Sequence, residues 1–331
     1  MSRLRFAAAL AGGWLLTGCT VAVAQTATER CEAAIRTLNA DSAGSGRAAI
    51  EKDATALIKA YGCDAGDKQV ALRAASRRLT ELALADSKTG ASRDETLARL
   101  ATARRAAQTW QTLVALADLS AAARDFAVAT QTYQAALNDM AEPHGGEPPV
   151  PADRRAWAYQ RANETQMLAP DQQAPPTRDR TPGGLDQVFN QPSGERGIEV
   201  HPRFLPVTFE FDSADMTQQG RTVAERWAET IRGATINGIV VVGHADPRGT
   251  DARNDELSAR RAETLATFLE ANGFAGRIVA VGMGRRCPVQ FSTAASYTRD
   301  EQFQIMRRVE VMPGSMLPAE YCHGQVATRS H

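Results

Sequence analysis

An aspartate and an arginine, fifteen positions apart, offer the most specific binding chemistry in this sequence. Asp246 lies in a short polar turn at 243–250, and Arg261 lies in the helix predicted to follow that turn. Asp246 can accept hydrogen bonds from an ammonium group. Arg261 can hold a carboxylate with a two-pronged fork that lysine cannot reproduce. The pair therefore predicts a site for a ligand that carries both an ammonium and a carboxylate.

Other interpretations of these residues remain open. Asp246 and Arg261 could pair with each other, or Asp246 could cap its own turn. His244 and Asp246 form an H-x-D pair, but no third ligand is evident, so we expect no metal site. Gly282-x-Gly284 lacks the acidic residue and the helix that follow a dinucleotide-binding loop, so we expect no cofactor. No nucleophile, base and orienting acid share one motif, which argues against an enzyme.

The segment 243–265 reads GHADPRGTDARNDELSARRAETL. It resembles the signature of OmpA-like C-terminal domains, which also occur in the peptidoglycan-associated lipoprotein Pal and in the flagellar stator protein MotB. The flanking motifs FEFD at 209–212, GMG at 282–284 and RRVE at 307–310 agree with this family in order. The resemblance covers about 207–311, which is roughly a third of the chain.

This resemblance implies a pocket that binds the diaminopimelate unit of peptidoglycan, with Asp246 and Arg261 as its two anchors. It also implies that other residues of the motifs lie at this pocket: Phe211, Asp212, Leu257 and Asn254. Asn254 is expected to cap or orient the turn. For Phe211 and Leu257, a position in the core is equally open.

The sequence departs from the family pattern at two positions. Met306 stands where the family often has an asparagine, and Arg253 stands where an aromatic residue commonly precedes the motif asparagine. Neither departure changes the two anchor residues, Asp246 and Arg261. Arg307 and Arg308 are still expected to support the turn.

The region 200–323 alternates predicted strands and helices, and a tail follows at 324–331. Alternating or continuous apolar runs predict strands, and apolar residues four apart predict helices. The strands are expected at 207–211, 236–242, 277–281 and 304–311, and the helices at 223–231 and 257–269. The predicted fold class is α+β, with a mixed sheet and two main helices on one of its faces.

The region 25–169 is rich in Ala, Leu and Arg and predicts an all-α helical-repeat region. Ser92 and Glu95 have the spacing of a capping box. The unit 110–143 resembles a tetratricopeptide repeat, and a further helix is predicted at 153–168. A lone repeat cannot bury both faces, so neighbouring helices must stack on it. The stacked surface could recruit a protein partner.

Two other segments predict how the chain is placed in the cell. Residues 1–24 resemble an export signal, because Arg3 and Arg5 precede an uncharged run that is too short to span a bilayer. The segment 16–19 resembles a lipobox, which would make Cys19 a lipidated N-terminus, whereas Ala22-Val23-Ala24 resembles an ordinary cleavage site; we favour the lipobox. A Pro- and Gly-rich linker is predicted at 170–199.

Either cleavage leaves four cysteines: Cys31, Cys63, Cys287 and Cys322. An oxidising compartment makes disulfides plausible, and sequence proximity favours Cys31–Cys63 and Cys287–Cys322 over the other pairings. Four buried free thiols are the alternative.

The formal net charge is zero, so no basic footprint indicates nucleic acid as a partner. The sequence predicts a non-enzymatic cell-envelope lipoprotein on the periplasmic face of the outer membrane, which would tether that membrane to peptidoglycan through the lipid on Cys19. A soluble periplasmic protein is the alternative localisation. The alternative function is a periplasmic scaffold whose helices recruit a protein partner, while the OmpA-like domain only positions it on the wall.

Overall fold

The computed structural model describes residues 26–169, 190–192, 198–200, 203–232, 237–292 and 296–314. The predicted signal segment with Cys19, most of the predicted linker, Cys322 and the C-terminal tail lie outside these ranges. In the described part of the chain, no helix is both long and apolar enough to cross a lipid bilayer.

Seven helices occupy residues 26–169: α1 (Ala27–Gly44), α2 (Arg47–Lys59), α3 (Ala65–Lys88), α4 (Arg93–Ala106), α5 (Trp110–Ala122), α6 (Phe126–Ala141) and α7 (Ala152–Leu168). Each helix packs on the next along the chain. The capping box expected at Ser92 and Glu95 starts α4. The helix pair expected within 110–143 is α5 and α6, where small alanines allow close approach around the fully buried Tyr133. The assignment of this pair to a tetratricopeptide repeat stays a prediction.

A disulfide joins Cys31 of α1 to Cys63, in the loop after α2. Cys287 is also a disulfide cysteine, and its predicted partner lies outside the described residues. Helix α2 ends at Lys59, so Tyr61 lies outside it and is 87% exposed.

The sheet domain contains four strands and three helices within 203–232, 237–292 and 296–314. In chain order these are β3 (Arg203–Leu205), α8 (Gln218–Arg232), β4 (Gly238–Gly243), α9 (Asp251–Ala271), β5 (Arg277–Gly282), α10 (Arg299–Met306) and β6 (Val309–Pro313). The strand order is β3-β6-β4-β5. Strands β4 and β5 are parallel and are connected through α9, whereas the other two pairings are antiparallel. A separate antiparallel pair, β1 (Asn190–Pro192) and β2 (Ile198–Val200), lies at the end of the predicted linker and extends one residue beyond it.

Helices α8 and α9 both pack on one face of this sheet, which confirms the predicted α+β class. Their shared core contains apolar side chains from both helices and from three strands: Trp227, Ile231, Leu265, Leu269, Leu205, Ile239, Val241 and Val309. Burial of each such side chain stabilises the fold by about 1.5–3 kcal/mol. This core holds α9 against the sheet.

Two predicted strands are wrong in position. The edge strand β3 lies at Arg203–Leu205, and the segment 207–211 contributes only an isolated bridge between Phe209 and Met216. A turn causes this, because Glu210 N donates to Asp215 O and the backbone of Asp212 adopts a positive φ of 51°.

The second error concerns 304–311. A capping box of Thr298 and Glu301 starts α10, which continues to Met306, so that strand β6 begins only at Val309. The short apolar pattern at 304–311 could not distinguish the end of a helix from a strand.

The helical region packs directly against the sheet domain. An apolar cluster combines residues of both: Phe126, Met167, Phe204, Val289, Tyr297 and Ile305. Beside it, Arg161 of α7 donates to the hydroxyl of Tyr297 at 2.5 Å, and that hydroxyl donates to Glu164 at 2.9 Å. Glu164 also accepts from the backbone N–H and the hydroxyl of Ser292. These buried polar groups fix the sheet domain to the α7 end of the helical region.

Candidate functional site

The candidate site lies at the carboxyl end of β4, in the turn that leads into α9. Strand β4 ends at Gly243, where a Cβ would lie 2.1 Å from the carbonyl oxygen of Ser258, so only glycine allows α9 to pack this closely. Gly249 has a φ of +83°, and the side chain of Thr250 caps α9. The N–H of Ala245 donates to Gly284 O, which ties the turn to the loop after β5.

Asp246 is 6% exposed, and both of its carboxylate oxygens accept hydrogen bonds. Oδ1 accepts from the backbone N–H and from Nε of Arg248, both at 3.0 Å. Oδ2 accepts from Arg248 Nη2 and from Arg307 Nη1, both at 2.7 Å. Burial alone would raise the pKa of Asp246, but these hydrogen bonds outweigh it and lower the pKa to about 2. Asp246 is therefore a carboxylate at any physiological pH.

Arg261 lies on α9 and is 7% exposed. Its Nε donates to the carbonyl oxygen of Ser213 at 3.0 Å, and its guanidinium carbon lies 5.1 Å from the centre of the Phe209 ring. Burial, with repulsion from Arg307, lowers the pKa of Arg261 to about 10. In residues 203–232, 237–292 and 296–314, no carboxylate forms an ion pair with Arg261, although Asp212 and Asp246 both act on its charge through space. A buried cation without such a partner attracts an anion.

Asn254 and Leu257 lie on the first turns of α9 and face inward. Asn254 is 6% exposed, and its Nδ2 donates to the carbonyl oxygens of Asp246 at 3.3 Å and Arg248 at 2.9 Å. These bonds hold the turn in the shape that aims Asp246. Leu257 is 8% exposed.

Phe211 and Asp212 lie on the turn at 210–215, at the rim of the site. Phe211 is 98% exposed, so its interpretation as a core residue is wrong. Asp212 accepts from Arg253 Nη2 at 2.8 Å. This hydrogen bond lowers the pKa of Asp212. The arginine that replaces the family's usual aromatic residue thus connects α9 to the rim.

The direct pairing of Asp246 with Arg261, left open by the sequence, is not present. The partners of Asp246 are Arg248 and Arg307 instead. Arg307 supports the turn as the sequence led us to expect, but the role of Arg248 was missed. Its position two residues after Asp246, within one tight turn, was the available signal.

A buried charged layer lies beneath the site. Arg308 pairs with Glu310 on β6, and Glu310 lies 3.4 Å from Nε2 of His244. Burial lowers the pKa of His244, and within the described residues neither ring nitrogen makes a hydrogen bond of acceptable geometry. The described part of the chain contains no group of three or more His, Cys, Asp and Glu side chains that could hold a metal ion. Burial therefore favours the neutral form of His244.

The family model described as the OmpA family matches residues 208–300 of this chain. Outer membrane protein A of Bordetella avium is 31% identical over 99 residues, which are 29% of this chain and 51% of that protein. A peptidoglycan-associated lipoprotein of Mesorhizobium japonicum is 36% identical over 84 residues, which are 25% of this chain and 50% of that protein. The chain therefore spans about half the length of these curated relatives.

A solved structure with a matching region is the peptidoglycan-associated lipoprotein from Burkholderia pseudomallei. It is 27% identical, and the match covers 32% of this chain and 86% of that one, with a TM-score of 0.28.

Proposed function

Because residues 208–300 form an OmpA family domain, we propose that this chain is a non-enzymatic cell-envelope protein that binds peptidoglycan non-covalently. The ligand is the diaminopimelate of the stem peptide. The observation that carries the proposal is the buried guanidinium of Arg261, which lacks an ion-pair partner in the described sheet domain and is attracted electrostatically by the carboxylate of Asp246. The name of the Mesorhizobium relative supports the same ligand class.

The side chain of meso-diaminopimelate ends in one carbon that carries both an ammonium and a carboxylate. Arg261 would take the carboxylate with two parallel N–H donors, and Asp246 would accept from the ammonium. Charge-assisted hydrogen bonds contribute about 1.5–3 kcal/mol each. Two of them, with contacts to the aliphatic stem, suit micromolar binding.

The remaining candidate residues take supporting positions in this proposal. Asn254 holds the turn that carries Asp246, and Leu257 supports the start of α9 from within. Phe211 and Asp212 are exposed at the rim, where they would contact the stem peptide as it leaves the pocket.

The test is calorimetric titration of the purified full chain with a diaminopimelate-containing tripeptide and with its lysine analogue. The lysine analogue keeps the ammonium but lacks the carboxylate, so it should bind at least tenfold more weakly. Arg261→Lys and Asp246→Ala should each abolish measurable binding of the diaminopimelate peptide. Arg286→Ala is a matched control, because Arg286 is an exposed arginine of the same domain whose partner is Asp255.

Equal binding of the two peptides would refute the carboxylate fork at Arg261. Undiminished binding of intact sacculi by the double variant of Asp246 and Arg261 would refute the site as a whole.

We propose that the chain reaches the wall from the outer membrane through a lipid on Cys19. The lipobox-like segment at 16–19 supports this. Mass spectrometry of the mature N-terminus distinguishes a lipidated Cys19 from a chain that begins at Gln25 and would be soluble in the periplasm. Replacement of Cys19 by alanine should release the protein from membranes, and unchanged membrane association would exclude the anchor.

The scaffold is the second candidate function. Its support is that the sheet domain covers the α7 end of the helical region, whereas apolar side chains stay exposed around α2 and α3, at Ile58, Tyr61 and Val70. A double change of Ile58 and Tyr61 to serine should remove co-purifying proteins from the envelope fraction and leave wall binding intact. Retention of those proteins would argue against a partner at this position.

A further inference from the structure

We infer that Arg248 occupies the ammonium position of Asp246 in the unliganded protein, and that the ligand must displace it. This inference rests on the proposed function, and it adds a competing residue to the site. The ligand binds only when its own cation replaces the guanidinium of Arg248.

The first step of the argument is the hydrogen-bond capacity of Asp246. A carboxylate offers about four acceptor positions. In Asp246 all four are filled, since Arg248 supplies three donors and Arg307 supplies the fourth. An incoming ammonium therefore finds no open acceptor position until one donor leaves.

The second step identifies the donor that can leave. The backbone N–H of Arg248 is fixed by the turn, which Asn254 also holds through the carbonyl oxygen of Arg248. Of the two arginine side chains, Arg248 is 60% exposed and Arg307 is 36% exposed. When the guanidinium of Arg248 moves away, one acceptor position on each carboxylate oxygen opens. The backbone N–H and Arg307 still hold Asp246 in place.

The third step shows where the Arg248 side chain goes. Its guanidinium carbon already lies 4.8 Å from the centre of the Phe303 ring on α10. The exposed carboxylate of Asp300, one turn earlier on α10, also attracts Arg248 electrostatically and helps to raise its pKa. Arg248 can therefore keep its contact with Phe303 and exchange Asp246 for Asp300. Phe303 and Asp300 of α10 thus form the alternative site for the Arg248 side chain.

This exchange affects a zwitterion and a simple anion differently. A ligand that brings only a carboxylate can reach Arg261, but it leaves the Arg248–Asp246 pair intact and gains nothing there. A ligand that brings an ammonium beside the carboxylate replaces one charge-assisted pair by another. The pairing with Arg248 thus lowers the affinity for an ammonium-bearing ligand by the free energy of the displaced pair, and it does not oppose a simple anion at Arg261.

Two substitutions with opposite signs test the inference, measured by calorimetry with the diaminopimelate tripeptide on the full chain. Arg248→Ala should tighten binding by about threefold to tenfold, because the competing exposed pair is gone. Asp300→Asn should weaken binding about twofold to threefold, because the displaced Arg248 loses its second partner. In the Arg248→Ala background, Asp300→Asn should have no effect, which makes the pair a double-mutant cycle.

Arg286→Ala is the matched control, because the Arg286–Asp255 pair has the same 2.7 Å separation and an arginine that is 57% exposed. It should leave the affinity unchanged. A thermal melt of each variant checks that both exposed positions leave the fold intact.

The outcomes separate this inference from the function on which it rests. Failure of the wild-type chain to bind the tripeptide would overturn the proposed function. Wild-type binding that is equal to or tighter than that of Arg248→Ala would overturn the displacement of Arg248 alone, since Arg248 would then support the ligand instead of competing with it. An effect of Asp300→Asn that persists without Arg248 would also overturn it.

Discussion

Arg307 Nη1 lies 2.7 Å from Asp246 Oδ2, although the two residues are 61 positions apart in the sequence. This bond connects the end of α10 to the turn after β4. The same guanidinium repels Arg261 and so helps to lower the pKa of Arg261. Arg307 therefore stabilises the charged form of Asp246 and destabilises the charged form of Arg261.

Replacement of Arg307 by glutamine should raise the pKa of Asp246 above its value of about 2, because one of the hydrogen bonds that lower it is lost. The pKa of Arg261 should rise as well, because a nearby positive charge is removed. Carbon-13 NMR titration of the Asp246 carboxyl measures the first shift. Arg286→Gln is the control and should leave that titration unchanged. An unaltered pKa in the Arg307 variant would mean that Arg248 alone sets the ionisation of Asp246.

The ionisation of Asp246 should also make stability depend on pH in acid. Its pKa is lowered from 3.8 to about 2 in the folded protein, so the folded state favours the ionised form. This contribution is fully present above pH 4 and is lost as the pH falls through about 2. It should amount to about 1–2 kcal/mol after allowance for screening by the solvent. Urea unfolding of the wild type and Asp246→Asn between pH 6 and pH 2 should show a stability difference that shrinks in this window, and a constant difference would contradict it.

The sequence predicted the parts of this site that are local. The turn at 243–250 and the helix after it follow from short-range backbone chemistry and spacing, and the family resemblance implied that Asn254 caps or orients this turn. The α+β class follows from the order of apolar patterns, and the structure confirms it. These features depend on residues that are close in the chain.

Features that depend on distant packing were not predictable in this way. The position of α10 depends on its contact with α7, where Gln304 Nε2 donates to Met167 O across 137 positions. The exposure of Phe211 is a local feature that was also missed, because the alternating apolar pattern does not reveal the turn at 210–215. Direct packing of the helical region on the sheet domain was likewise hidden, because a Pro- and Gly-rich segment between them predicts a linker.

The disulfide between Cys31 and Cys63 should stabilise the helical region without affecting the site. It closes a loop of 32 residues, which corresponds to about 3–4 kcal/mol in the chain-entropy description. A variant with alanine at both positions should therefore unfold at a lower urea concentration. Reduction of the wild type should lower that concentration at least as far, because it also opens the disulfide of Cys287. Affinity for the diaminopimelate tripeptide should stay the same. A loss of affinity in this variant would show that the helical region influences the pocket.

The hydroxyl of Tyr297 should stabilise the contact between the helical region and the sheet domain. Its buried hydroxyl accepts from Arg161 and donates to Glu164, so Tyr297→Phe leaves two buried charges with one partner fewer. The expected loss is about 1–3 kcal/mol in the free energy of unfolding. Tyr61→Phe is a matched control at a position that is 87% exposed, and it should change stability by less than about 0.5 kcal/mol. Hydrogen exchange should locate the loosened contact in α7 and α10, because these helices meet at the interface. Equal stability of the two phenylalanine variants would mean that the apolar cluster around Phe126 and Ile305 holds the two regions together without help from the buried charges.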